Sequence, residues 1–114
     1  MNRTEKRLKA ILESSDNELA SWSTELIETI PLTKNVMQKA SLRTTLEAVQ
    51  TEIRQRAVVK PMTTDYLKSW LAGLRASLTG EMQKSQWVRS YSMIGDWKAS
   101  IGQIERELKR RENS

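Results

Sequence analysis

A chain of 114 residues carries 19 Lys and Arg against 14 Asp and Glu, a formal net charge of +5, and has no cysteine, histidine or phenylalanine. That length fits a single helical domain spanning 1–114, and the missing residue types remove the imidazole base, the thiolate nucleophile and the usual zinc ligand sets. The apolar set of 12 Leu, 7 Ile, 5 Val, 5 Met, 4 Trp and 2 Tyr can fill a core without disulfides or metal, so disorder is not expected for the body of the chain.

Helix signals dominate from the first residues on. A short first helix is expected from about Asn2 to Glu13, with Leu8, Ile11 and Leu12 on one side. Ser15-Asp16-Asn17-Glu18 reads as a capping box that starts a second helix near Asp16. Its stripe is Leu19, Trp22, Leu26 and Ile30, and Pro31 stops it, because the residue before proline is pushed out of the helical region. Thr33 is the expected cap of a third helix, which carries Val36 and Met37 and then a seam of Leu42, Leu46, Val49 and Ile53. The seam has coiled-coil spacing over fewer than three heptads, so packing within a bundle explains it as well.

Val58-Val59-Lys60-Pro61 ends that helix, since β-branched residues followed by proline disfavour its continuation. Thr63 or Thr64 caps a fourth, with Leu67, Trp70, Leu71, Leu74 and Leu78 on one face. Gly80 is the expected stop or kink, because glycine enters the left-handed conformation at little cost. A long last helix is then expected over about 82–111. Its apolar band is Trp87, Ile94, Ile101 and Leu108 at intervals of seven, flanked by Tyr91, Trp97 and Ile104. The expected fold is therefore an all-α, compact bundle of four to five helices.

No run approaches the roughly 18 apolar residues of a membrane span, and Met1-Asn2-Arg3-Thr4-Glu5-Lys6 leads into no apolar signal-peptide core. A cytoplasmic protein that neither spans nor contacts a membrane is the expectation. Neither a cofactor nor a small-molecule substrate is expected. Glu25 and Glu28, three apart on one helix face, have a spacing that a carboxylate metal site uses, but the Glu-x-x-His form of such sites is impossible here. An acidic solvated face is the simpler reading, so no metal is assigned. Ser21-Trp22-Ser23 and Ser90-Tyr91-Ser92 offer hydroxyls without a partner base, and the glycines at 73, 80, 95 and 102 form no phosphate loop. The chain does not read as an enzyme.

Binding is what remains. On the last helix Gly95, Ala99 and Gly102 project to one side, away from the apolar band. Two glycines there cost about 1 kcal/mol each relative to alanine, which a close approach by another helix would offset. Trp87 and Tyr91 adjoin that side, and large aromatic side chains anchor interfaces. Trp87, Tyr91, Gly95, Ala99 and Gly102 are thus the candidate protein interface, with another protein or a second copy of the chain as partner. The function expected is that of a small interaction module or regulator acting by surface contact.

Charge supplies the alternative. Residues 13–28 hold Glu13, Asp16, Glu18, Glu25 and Glu28 with no Lys or Arg, whereas residues 54–111 hold twelve basic side chains against five acidic ones. The two regions can pair with each other, or the basic face can stay free for DNA or RNA. Arg54, Arg56, Lys60, Lys68 and Arg75 around the Pro61 turn form the candidate nucleic-acid face, in an arrangement like a helix-turn-helix. Against it, the turn lacks the usual glycine, and Asp65 stands where a phosphate would lie. Arg106, Lys109, Arg110 and Arg111 are explained by the preference of cations for a helix C-terminus.

Overall fold

The computed structural model describes residues 2–113. Among the described residues every regular element is helical: α1 (Arg3–Glu13), α2 (Asp16–Thr29), a single 3₁₀ turn (Ile30–Leu32), α3 (Val36–Val59), α4 (Thr64–Met82) and α5 (Tyr91–Glu112). The fold is all-α with five α-helices and no strand among these residues. No helix of the described residues is long and apolar enough to cross a membrane.

Helix starts follow from side chains that satisfy the first backbone amides, which have no partner within the helix. The Ser15 hydroxyl accepts from the Glu18 amide at 3.1 Å while the Ser15 amide donates to the Glu18 carboxylate at 2.9 Å. The Ser15 amide first, and then the Ser15 side chain, hold the Glu18 carboxyl below its ordinary pKa. Asn2 and Glu5 form a second capping box on α1. Thr63 accepts from the Tyr66 amide at 3.1 Å and starts α4, as expected. α3 differs, because Asn35 receives the Met37 and Gln38 amides at 2.9 and 3.0 Å, whereas the Thr33 hydroxyl turns back to the Thr29 carbonyl at 3.0 Å. Thr33 thus closes the 3₁₀ turn, and Asn35, two residues on, takes the capping role.

The chain divides into two units, one through Gln55 and the other from Arg56 onward. In the first, Ile11, Leu19, Leu26, Ile30 and Val49 form the buried core, with Trp22, Leu42, Leu46, Ala48 and Ile53 packed on it. The whole expected seam of α3 is in this core. In the second unit the core is Val59, Leu67, Leu71 and Ile104, with Met62, Trp70, Leu74, Ile101 and Leu108 around it. α4 and α5 run antiparallel there: Arg75 meets Glu105 at 3.3 Å midway, and Arg111 reaches Thr64 at the far end.

Two boundaries depart from the sequence expectation. Gly80 does not end its helix in a left-handed conformation, since α4 continues to Met82 and none of the described glycines has positive φ. α5 begins at Tyr91 rather than near 82, so 83–90 is a turn and Trp87 lies outside the helix. Polar side chains set both ends. The Arg89 guanidinium donates to the Met82 and Lys84 carbonyls at 2.8 and 2.9 Å, closing α4, and the Ser90 hydroxyl accepts from the Met93 amide at 3.4 Å, opening α5.

Candidate interaction site at the α4–α5 turn

Residues 83–90 connect two packed antiparallel helices, and their conformation is held by side chains from both. Glu81, buried at the end of α4, accepts the Ser90 amide at 2.7 Å on one carboxylate oxygen and meets the Lys84 ammonium at 2.9 Å with the other. The Ser90 amide, then the Lys84 ammonium, hold its carboxyl below the usual range. The Tyr91 hydroxyl donates to the Gln86 carbonyl at 3.2 Å, and the Val88 amide donates to the Ser85 carbonyl at 3.0 Å. With Arg89, these bonds occupy the carbonyls of Met82, Lys84, Ser85 and Gln86. Each carbonyl so bonded needs no water of its own when the surface is covered.

Its apolar side chains point outward. Trp87 is 86% exposed, Val88 65% and Tyr91 60%, with Met82 and Met93 also exposed at this end of the hairpin. Leaving an indole in water forgoes roughly 2–3 kcal/mol of burial, so the turn is held in a conformation that the hydrophobic effect alone does not favour. The other three tryptophans, Trp22, Trp70 and Trp97, are half-buried. Trp70 makes a tilted ring contact with Tyr66 at a centroid separation of 6.4 Å.

Of the five sequence-nominated interface residues, Trp87 and Tyr91 fall at the turn, and Gly95 and Ala99 follow on the exposed side of α5. A Cβ added at Gly95 would meet no atom within 4 Å, whereas one at Gly102 would stand 3.1 Å from Arg106 Nη1. Gly102 is half-buried under that arginine, and the open part of the small-residue stripe is Gly95 with Ala99. Periodicity missed Met82, Val88 and Met93. A readable signal was the Trp87-Val88 pair itself, because Val88 stands off the band of sevens.

The basic candidates do not assemble into one solvent-facing set. Arg56 is 4% exposed, and Arg54, two residues away and so about 160° round the helix, is exposed and donates to Thr51 at 3.2 Å. Arg75 is taken up by Glu105, while Lys60 and Lys68 are exposed. At the end of α5, Arg110 meets Glu107 at 3.6 Å. Arg111 donates to the carbonyls of Val59, Lys60 and Met62 at 3.2, 3.3 and 2.7 Å, and to the Thr64 hydroxyl at 3.0 Å. A cation there satisfies carbonyls at and just beyond the end of α3, which have no acceptor role inside a helix. Glu25 and Glu28, the candidate carboxylate pair, are both exposed on α2.

No protein-family model, curated protein or solved structure matches this chain.

Proposed function

We propose that this protein is a small helical interaction module, a regulator that acts by surface contact with another protein and not by catalysis. The observation that carries the reading is Trp87, 86% exposed on a turn fixed by Glu81, Arg89 and Tyr91. Trp, Tyr and Arg dominate the few residues that supply most binding energy at interfaces, and a rigid turn presents them at low ordering cost. Gly95 and Ala99 extend the contact along α5, where a partner helix can approach closely. The cytoplasm is the compartment that suits a cysteine-free chain of this kind.

The test is a photo-crosslinking residue at position 87 of the full chain, expressed in its native host, with a matched residue at exposed Lys68. A nuclease-resistant protein adduct at 87 and not at 68 is the expected result, and Trp87→Ala should weaken capture of that protein by about tenfold or more. An adduct that nuclease removes would favour the nucleic-acid reading through Lys60 and Lys68 instead. Light scattering across a concentration series identifies the case in which the captured protein is a second copy.

A further inference from the structure

A second apolar turn lies in the first unit, where the chain passes from the 3₁₀ turn into α3. Leu32, Val36 and Met37 are 80%, 80% and 82% exposed. From Thr29 to Leu46 the chain carries Lys34, Lys39 and Arg43 and no carboxylate. Beside Met37 opens a shallow cleft of about 580 Å³ whose polar lining is Arg3, Thr29, Thr33, Gln38 and Ser41, again without a carboxylate. We infer that this turn is a peripheral docking surface for an anionic lipid bilayer, with Leu32, Val36 and Met37 entering the interface, Lys34, Lys39 and Arg43 facing the headgroups, and the Arg3 cleft receiving a lipid phosphate.

Three features favour lipid over a protein groove. The exposed side chains are aliphatic and adjoin lysines and an arginine, the combination that peripheral contact with an anionic bilayer uses. Three of its amides are bonded within the chain, Thr33 to the Ile30 carbonyl at 3.2 Å and Met37 and Gln38 to the Asn35 side chain, which lowers the cost of placing them near the interface. Lys34, Lys39 and Arg43 outnumber the neighbouring carboxylate, Glu28 one helical turn before Leu32, and clustered Lys and Arg beside apolar side chains are what anionic leaflets attract. Peripheral contact of this kind departs from the sequence expectation of no membrane contact, needs no membrane-spanning helix, and is independent of the Trp87 reading.

Flotation of the full chain with phosphatidylcholine vesicles, with and without about 30 mol% phosphatidylserine, tests it. Binding should be about tenfold or more stronger with phosphatidylserine and should fall as salt rises. L32S/V36S/M37S should abolish flotation with the far-UV circular dichroism unchanged, since all three side chains are in water. Lys34→Glu with Arg43→Glu should remove the preference for phosphatidylserine, and Trp87→Ala should leave flotation unchanged. Absence of flotation at low salt overturns the inference, as does flotation that survives the triple variant. It is overturned equally if flotation is lost with Trp87→Ala, or if the triple variant removes only self-association seen by sedimentation velocity without lipid. Flotation lost with Trp87→Ala would also count against the protein contact at position 87; the other results leave that reading untouched.

Discussion

Two kinds of tie hold these helices, caps between near neighbours in sequence, clearest in the first unit, and side chains that reach further along the chain, clearest in the second. Asn2 with Glu5, Ser15 with Glu18, and Asn35 with the two amides after Val36 all act within three residues. In the second unit Glu81 reaches nine residues to Ser90, Arg75 crosses to Glu105, and Arg111 spans 47–52 residues to hold the end of α3 and the start of α4. Local caps decide where a helix begins, whereas crossing ties decide which helices stay together. Loss of a cap should therefore fray one end, and loss of a tie should loosen a whole unit.

The largest effect that would test this contrast is Arg111→Ala. Four acceptors lose a charged donor at once, and about 2–4 kcal/mol of destabilisation is expected in urea unfolding. If it costs under about 0.5 kcal/mol, the tie is only a surface contact of the weak kind. Glu81→Gln comes next and has a pH signature. Its carboxyl is depressed in the folded chain, so the stabilisation it gives is complete above the ordinary carboxylate range and disappears as pH falls through the lower, folded value. A pH series of thermal melts should show that acid loss in the native chain and a shallower one in the glutamine variant.

Ser15→Ala removes one local cap and should cost about 1 kcal/mol, with faster amide exchange confined to the start of α2. Exchange that rises throughout the first unit would erase the distinction between caps and ties. Smallest, and opposite in sign, is Gly95→Ala. Its φ is negative and its Cβ position is open, so the isolated chain should gain about 0.5–1 kcal/mol. If the same change weakens capture by the protein crosslinked at 87, the glycine serves a close approach; unchanged capture would restrict the contact to the turn.

Much of the fold was legible from the sequence because its determinants are local. The Ser15/Glu18 box, the Thr63 cap, Pro31 and Pro61 each act within a few residues, and the α3 seam repeats its signal four times. Gly80 marked the end of α4 only to within two residues, because a glycine fixes a stop only where the backbone needs positive φ, and here it does not. The band of sevens misled at its first member. Spacing places Trp87 in line with Ile94, Ile101 and Leu108, but it carries no information on where α5 starts, which the Ser90 hydroxyl decides. Trp87 and Tyr91 were legible as candidates, while the Glu81 and Arg89 bonds that fix their turn join residues whose pairing no helical period encodes. The occupation of Arg75 and Arg111 was illegible for the same reason, as their partners lie 30 to 52 residues away.

Arg111 also has a consequence in time. Helices form in about a microsecond or less, and contacts that close long segments come later. A tie spanning some fifty residues that joins finished helices belongs to the native side of the folding barrier. Its loss should leave the refolding rate nearly untouched and act on the rate of opening instead. At about 3 kcal/mol, the second unit would open roughly a hundredfold faster. Arg111 would then govern how long the second unit stays closed once folded, and hardly at all how quickly it gets there.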